Sequence, residues 1–460
     1  MSDAPQDTGL IDWSRRFAFV HLFRTFRLAR QPSKVLLAFL GICLTYGAGR
    51  ILDAAWSDRS SPALSADGNT SELDYFVTSG GKRTATLEWI DSVGDPERVL
   101  RTGTFRLLLD HARTTANLTV AAVTHADPGG IVAALTTGIL GVTWLYSLHP
   151  LYAMVFTVVG LAIWAVFGGA LARAAALHAT RDERIGLGEA LAFARGKFAS
   201  FLAAPLLPVI GAALLGFFLW LGGLIGLIPA VGELFVGVFF FLALCIGFAL
   251  AFVFIGGIAG FALTFPTVAV EGSDAFDAFS RSFSYIYARP WRTAFYALAS
   301  IAYGALCVAF VKLFARIALW SVQLMVGLSM NWGSPYVADE GGAAQPPKLH
   351  SMWQGPNLTG ESTFFGGFDS GVELAHVSWF AQFLIKCWIY AVWAVVAAFA
   401  VSMFFSASTL MYLLLRREVD ATDLEDVYVE VPPEEGTHSE GASPDAGPKP
   451  SGGTSLPVVG

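Results

Sequence analysis

The pattern of apolar and polar residues along the chain is that of a helical protein that crosses a membrane several times. Several apolar runs exceed the about 18 residues with which a helix spans a bilayer, and shorter segments between them contain most of the charges. The runs predict six transmembrane helices, at residues 35–55, 151–172, 200–228, 234–264, 293–311 and 394–415. The expected fold class is an all-α membrane protein with six spans, or seven to eight, together with interfacial amphipathic helices and a small extracytoplasmic region.

Two apolar segments do not fit a single crossing. Residues 131–149 are apolar enough to span, but a crossing there would place the charged segment 181–184 outside the cell. We therefore predict an interfacial or re-entrant helix that ends at His149. The last apolar run, residues 379–415, is longer than a bilayer is thick at about 1.5 Å per residue, so only its latter half is predicted to cross.

The orientation follows from Lys and Arg near the span ends, which favour the cytoplasm. These residues are concentrated before the first span, in the linkers 173–199 and 265–292, and directly after the last span, whereas the turn 229–233 has none. Six spans with both termini in the cytoplasm of an inner membrane satisfy this distribution. The predicted regions are a basic amphipathic segment 1–34, a first span 35–55, an extracytoplasmic region 56–150, a membrane core 151–311, extracytoplasmic extensions and a loop 312–393, a last span 394–415 and an acidic tail 416–460.

Short patterns predict local structure within these regions. Residues 84–90 alternate like a strand. Residues 97–123 are typical of an amphipathic helix, whose apolar markers are Leu100, Leu107, Leu108, Leu118 and Val123. Residues 329–371 are rich in Gly, Pro, Asn and Ser and are predicted to be irregular. The tail from Val431 is rich in Pro, Gly, Ser and Glu, which predicts disorder.

Composition and charge sharpen this picture. Of the 460 residues, 55% are hydrophobic and 14% charged, whereas a soluble domain is about 45–50% apolar and about 25% charged. The formal net charge is −7, but ten acids and one base, Lys449, lie from Glu418 onward, which leaves +2 for the rest. A soluble enzyme and a secreted disulfide scaffold are thus excluded, and the acidic tail is the predicted binding place for a cytoplasmic protein partner.

No pattern in the chain indicates a metal, a cofactor or a catalytic centre. The four cysteines, Cys43, Cys245, Cys307 and Cys387, lie far apart in apolar stretches without metal-ligand spacing. HExxH, Walker and GxSxG motifs are absent. We predict no cofactor and no nucleic-acid partner, and an enzyme of the outer face that uses His111, His125 or His376 is the least favoured alternative.

An amphipathic segment before the fifth span is the clearest candidate for an interface helix. Phe276, Phe279 and Phe283 recur at helical spacing, with Arg281 and Arg289 on the same segment. Ser273 is the predicted N-cap, and Pro290 disfavours helix at the residue before it. The segment is predicted either to sense lipid at the cytoplasmic border or to pack flat beneath the bundle as structure.

Four charged residues near the membrane borders are candidate contacts. Glu271 is predicted to form an ion pair with Arg195, Arg281 or Arg292, and not to act in a proton relay. Lys312, Arg316 and Lys386 are expected at or beyond the outer boundary, where long basic side chains reach headgroups. They are our candidate contacts for lipid or another anion, beneath an apolar extracytoplasmic cap.

Part of the chain resembles a known group of proteins. The stretch 173–297 is similar to bacterial polytopic membrane proteins of unassigned activity, a group that includes the membrane domains attached to some glycerophosphoryl diester phosphodiesterases. The resemblance rests on four short motifs and, toward a planctomycete-type member, on a fifth with the acidic tail; they lie at 188–191, 266–272, 278–282, 288–290 and 416–420. It implies an inner-membrane protein with these cytoplasmic linkers and no catalysis, because the phosphodiesterase barrel and its metal ligands are missing.

Two functions from different classes remain after this. The favoured one is a non-enzymatic integral membrane protein that handles lipid, organises the membrane or assists assembly there, and its partners are membrane lipids. The alternative is a permease or carrier for a small solute, because basic amphipathic segments precede three of the spans as in a weak internal repeat, and transporters contain such repeats. A permease requires a polar path between the spans, and the sequence alone does not decide this.

Overall fold

The computed structural model describes residues 18–56, 61–65, 70–93, 100–330, 349, 353, 379–423 and 425–428. The described residues up to Val427 belong to one compact unit. Among the described residues, fourteen α-helices follow a 3₁₀ segment at Ala18–Arg24. They are α1 (Thr25–Ala29), α2 (Pro32–Ala55), α3 (Glu72–Thr78), α4 (Arg83–Ser92), α5 (Thr104–Thr124), α6 (Pro128–Leu148), α7 (Pro150–Thr180), α8 (Leu187–Gly196), α9 (Phe198–Ala203), α10 (Leu207–Ile225), α11 (Val231–Glu271), α12 (Ala275–Ala288), α13 (Pro290–Met330) and α14 (Trp379–Asp420). Two short antiparallel strands, β1 (Ala63–Leu64) and β2 (Leu100–Arg101), accompany them.

Seven of the described helices are long and apolar enough to cross a membrane, which confirms the predicted all-α polytopic class. They are α2, α6, α7, α10, α11, α13 and α14. The helix beyond the six predicted spans is α6, at the segment for which we predicted an interfacial position. Three helices, α11, α13 and α14, each exceed 40 residues, so at about 1.5 Å per residue they rise about twice the hydrocarbon thickness.

The strand predicted at residues 84–90 is wrong, because these residues lie in α4. Thr86 is buried and its hydroxyl donates to the carbonyl oxygen of Lys82, while the Trp89 ring stacks on Tyr75 of α3 at 5.1 Å. Seven residues are too few for a period of two to be told from a short helix whose neighbours decide its conformation. Most of the irregular loop predicted at 329–371, the tail beyond Tyr428 and the first 17 residues lie outside the described residues. The first two residues of that loop, 329 and 330, are not irregular, because they form the end of α13.

The amphipathic segment predicted at 97–123 is a helix only from Thr104, as α5. Its first apolar marker, Leu100, lies instead in β2. Leu107 and Leu108 pack against the outer cluster around Trp144 and Tyr152, and Leu118 is exposed. The helix therefore buries two different faces against two different neighbours, which a single apolar stripe does not indicate.

The core lies where the second half of α7 meets the ends of α11 and α14. Residues 168–178 of α7 are all buried, and small side chains there allow close approach of neighbouring helices. A Cβ at Gly168 would lie 2.7 Å from the Phe405 ring, and one at Gly169 would lie 2.7 Å from the Phe201 ring. These glycines set how closely α7 packs against α14 and α9.

A buried carboxylate holds the corner between α6 and α7. Glu72 of α3 is 3% exposed, and its oxygens accept hydrogen bonds from the backbone N–H of Ala63 and from Trp144 Nε1, both at 3.1 Å. His149 Nε2, at the corner itself, lies 3.0 Å from the same side chain. The start of α3 is thereby tied to the end of α6.

The α10–α11 hairpin is the most exposed apolar part of the described chain. No residue of α10 is buried, and in α11 burial is concentrated at the C-terminal end, from Leu263 onward. The turn is shorter than the predicted 229–233, because α11 already begins at Val231 after Ala230 with a φ of 61°. Apolar side chains that face outward on both helices are typical of a surface in contact with lipid tails.

Candidate functional site

A large cavity lies between α2, α5, α13 and α14. Its volume is about 1410 Å³, above the about 300–1,000 Å³ of ordinary small-molecule pockets. Alanine, phenylalanine and aliphatic side chains make up most of its wall, from Phe383 near the start of α14 to Met411 near its end. The helix rises roughly 42 Å over that distance at about 1.5 Å per residue, so the cavity is long as well as apolar.

The wall from α14 is a single face of that helix. Lys386, Tyr390 and Trp393 stand at one end of the face and are followed by Ala397 and Phe404. Positions four and seven apart share a side of an α-helix, which explains why this stripe faces the cavity for its whole length. The Lys386 ammonium lies over the Tyr390 ring, 6.0 Å from its centroid. Polar groups are thus gathered toward the N-terminal end of α14.

Helix α5 contributes another wall, and α2 fixes where it begins. Asp53 of α2 accepts hydrogen bonds from the backbone N–H groups of Phe105 at 2.9 Å and Arg106 at 3.3 Å. These are free donors of the first helical turn, and the residue at the N-cap position, Gly103, has no side chain that accepts them. A Cβ at Gly103 would lie 2.2 Å from the Asp53 carboxylate. Asp53 therefore caps α5 from outside the helix.

Arg113 on α5 is a site residue that the sequence predictions missed. It lines the cavity together with Leu109, Ala112, Ala116 and Val120, and its Nη1 donates to Asp110 at 3.0 Å. The signal was present in the sequence, because these positions recur every three to four residues, as one helix face does. It was hidden because alanines dominate the stripe while larger leucines mark the opposite face.

The predicted anion contacts are separated by the structure. Lys386 lies in the cavity wall. Lys312 and Arg316 lie one turn apart on α13, and neither is among the described residues that line the cavity. Their contact with lipid headgroups elsewhere on the surface stays a prediction.

The predicted interface helix, α12, packs largely against α11. The Phe279 and Phe283 rings are 4.3 Å apart, and a Cβ at Gly256 of α11 would lie 2.4 Å from the Phe283 ring. Phe276 is 69% exposed and Arg289 is exposed at the C-cap. In the aromatic stripe, Phe279 and Phe283 thus pack against their neighbours, whereas the Phe276 ring at the N-terminal end is exposed.

The ends of α12 are close to those predicted, but its cap is different. Asp274, not Ser273, is the N-cap, and its side chain accepts from the backbone N–H of Asp277 at 2.8 Å. A carboxylate satisfies the free donor and also complements the positive end of the helix dipole. The helix ends at Ala288, two residues before Pro290.

Glu271 forms a predicted ion pair and a second one that the sequence did not indicate. Arg281 Nη1 lies 3.6 Å from Glu271 Oε2, as expected. Arg416 Nε lies 2.8 Å from Oε1, and the buried Tyr412 hydroxyl donates to Oε1 at 2.9 Å. The predicted alternative, Arg292, pairs instead with Glu418 at 2.7 Å. The end of α11 is therefore joined to α12 and α14.

Two tyrosines extend this network of ion pairs and hydrogen bonds. Tyr285 donates to Asp420 and Tyr296 donates to Glu418. Burial and the hydrogen bond to Asp420 raise the pKa of Tyr285 to about 12, and the hydrogen bonds to Asp277, with the nearby charge of Glu271, raise the pKa of Arg281. Both groups therefore keep their protons, and these contacts, throughout the physiological pH range.

Among the residues that are described, no group of three or more His, Cys, Asp and Glu side chains is placed to hold a metal ion. No family model, curated protein or solved structure matches the chain. The resemblance carried by the motifs in residues 173–297 therefore stays a prediction, and the function is argued below from the cavity.

Proposed function

We propose that this protein is a non-enzymatic integral membrane protein that binds a membrane lipid in the cavity between α2, α5, α13 and α14. The observation that carries the proposal is the apolar wall, which extends about 42 Å along α14 from Phe383 to Met411. Half of a hydrocarbon core of about 30 Å is the depth that the tails of one lipid occupy. The wall is longer than the tails of one lipid, so it accommodates them along part of its length, and its apolar lining suits acyl chains and gives a polar solute few partners.

The permease alternative is less well supported, because the buried cationic side chains among the described helices join helices to one another and do not line the cavity. Buried Lys34 donates to the Leu28 carbonyl oxygen at 3.2 Å and lies 3.3 Å from His178 Nδ1. Arg173 Nη1 donates to the Ala269 carbonyl oxygen at 2.9 Å, and its guanidinium lies over the Phe193 ring. These groups hold helices together, and neither cation lines the cavity. We therefore favour lipid binding over transport of a small polar solute.

The first prediction concerns the size of the cavity. Gly304 lies in its wall, and an added Cβ would meet only Met403 at an ordinary 3.8 Å, so Gly304→Trp is expected to fold and to fill space that lipid tails occupy. Lipid that co-purifies in mild detergent, counted by native mass spectrometry, should fall several-fold. Gly216→Trp on α10 is the matched control, because open space surrounds that glycine outside the cavity. Equal lipid retention by the two variants would refute the proposal.

The second prediction concerns the membrane and the two termini. We propose an inner-membrane location with both termini in the cytoplasm, which requires six of the seven candidate spans to cross. We propose that α6 is the candidate span that does not cross. It packs with α3, α4 and α5, which contain charged residues, and the chain turns sharply at His149 from α6 into α7. Green fluorescent protein fused to either end should fluoresce, and alkaline phosphatase fused to either end should be inactive. An active phosphatase at the C-terminus would contradict the six-span arrangement.

The acidic tail keeps its predicted role as a binding segment for a cytoplasmic protein. The support is its charge, because ten acids and one base lie from Glu418 onward, and long acidic segments are typical interaction tails. This proposal is separate from the lipid cavity and does not depend on it.

A further inference from the structure

The charges in the cavity wall all have one sign. Arg113 and Lys386 are the charged side chains among the described residues that line it, and no carboxylate is among them. Asp110, which pairs with Arg113, lies outside the wall and is largely exposed. A ligand with an anionic group and a long apolar body therefore complements the charge and the polarity of this wall.

The two cations belong to the same end of the cavity. Lys386 and Tyr390 are one turn apart on α14, and Tyr390 lies near Arg106, Asp110 and Arg113 of α5. From Ala394 to Met411 the cavity-lining residues of α14 are apolar except for Ser408. The cavity thus has a cationic end and a long apolar part. These two parts complement the anionic head and the apolar tails of an amphiphile.

Two polar side chains in the wall have no partner within the described part of the chain. Trp393 is 5% exposed, and its Nε1–H makes no hydrogen bond; the Ser300 hydroxyl makes none either. A buried polar group left unsatisfied costs about 1–3 kcal/mol, so native proteins rarely keep one without a reason. Trp393 stands two turns from Lys386, where an oxygen of a bound headgroup or ester would accept its hydrogen bond.

We propose that the cavity selects an anionic lipid, whose phosphate or carboxylate is bound by Arg113 and Lys386 and whose chains follow α14 toward Met411. This inference rests on the proposed lipid binding and adds the class of lipid. Arginine and lysine are the side chains that bind phosphate and carboxylate most strongly. A zwitterionic headgroup would bring a cation next to both of them, which lowers its affinity.

The test uses the full chain in nanodiscs that contain equal amounts of a zwitterionic lipid, phosphatidylcholine, and an anionic lipid, phosphatidylglycerol. After transfer to mild detergent, native mass spectrometry counts each lipid that stays bound. The wild-type chain is expected to retain phosphatidylglycerol in several-fold excess. The double variant Arg113→Gln with Lys386→Gln should retain a similar total amount of lipid without that preference.

The control is the double variant Lys82→Gln with Arg83→Gln, which removes the same charge from exposed positions outside the cavity wall and should keep the preference. Retention of both lipids in equal amounts by the wild type would overturn the inference and spare the proposed function, whereas no retained lipid would overturn both. If the double variant in the cavity fails to fold, the same measurement on the wild type at increasing salt concentration tests the inference. The preference for phosphatidylglycerol must then weaken, because salt screens the charges. Inorganic phosphate that displaces phosphatidylglycerol at equal concentration would also contradict an amphiphilic ligand.

Discussion

Replacing Glu271 by alanine is expected to lower the free energy of unfolding by about 3 kcal/mol, the lower end of the usual cost of removing one partner of a buried ion pair. Glu271 and Arg416 have side chains that are 13% and 9% exposed, so water does not replace the lost partner. The buried Tyr412 hydroxyl loses its acceptor at the same time. Arg416 keeps its ion pair with the exposed carboxylate of Asp426 at 3.2 Å. The change therefore leaves a cation that has lost its buried partner, and a donor without its acceptor, at the junction of α11, α12 and α14.

The measurement is unfolding in detergent micelles, followed by tryptophan fluorescence as denaturant is added. Asp277→Ala is the matched control, because its ion pair with Arg281 is about 40% exposed on both sides and such surface pairs contribute at most about 1 kcal/mol. Arg416→Met on the Glu271→Ala background should recover part of the loss, since it removes the cation that has lost its buried partner. A loss equal to that of Asp277→Ala would show that Glu271 does not hold the junction.

The fold class could be predicted from the sequence because a bilayer imposes a length on apolar helices. That constraint is local, so the apolar runs between residues 35 and 415 were enough to predict it. The lengths of α13 and α14 were harder to predict from the sequence, because apolar residues continue past the membrane border wherever helices pack on each other. The conformation of residues 84–90 depended on Tyr75 and on neighbours far from the local pattern.

The candidate sites were predictable only where one residue was informative by itself. Lys386 stood out as a cation in an apolar run, and the structure places it in the cavity wall. Arg113 did not stand out, because it lies in a segment that already contains Arg106, Asp110 and His111. The partners Tyr412 and Glu271 are 141 positions apart, and no periodicity within either helix indicates which distant residue will face it.

The cap on α5 leads to the second large effect, because Asp53 positions the helix that contributes Arg113 to the cavity. Asp53→Ala removes the acceptor of two backbone N–H groups and of the Tyr152 hydroxyl, which donates to it at 2.9 Å. Hydrogen bonds to a charged group contribute about 1.5–3 kcal/mol each, and the side chain is half-buried, so water recovers part of the loss. We expect a net destabilisation of about 3 kcal/mol.

The expected consequence is local as well as global, because the first turn of α5 loses its only side-chain cap. Hydrogen–deuterium exchange should accelerate at Phe105 and Arg106, and retention of anionic lipid should fall with it, since Arg113 lies two turns further along the same helix. Asp53→Asn keeps one acceptor oxygen and should show an intermediate effect. Asp110→Ala changes a carboxylate on α5 that caps nothing, so exchange at the first turn should stay at the wild-type rate. If Asp53→Ala accelerates exchange while lipid retention is unchanged, the position of α5 does not control the cavity, and lipid binding must then depend on the wall formed by α13 and α14 alone.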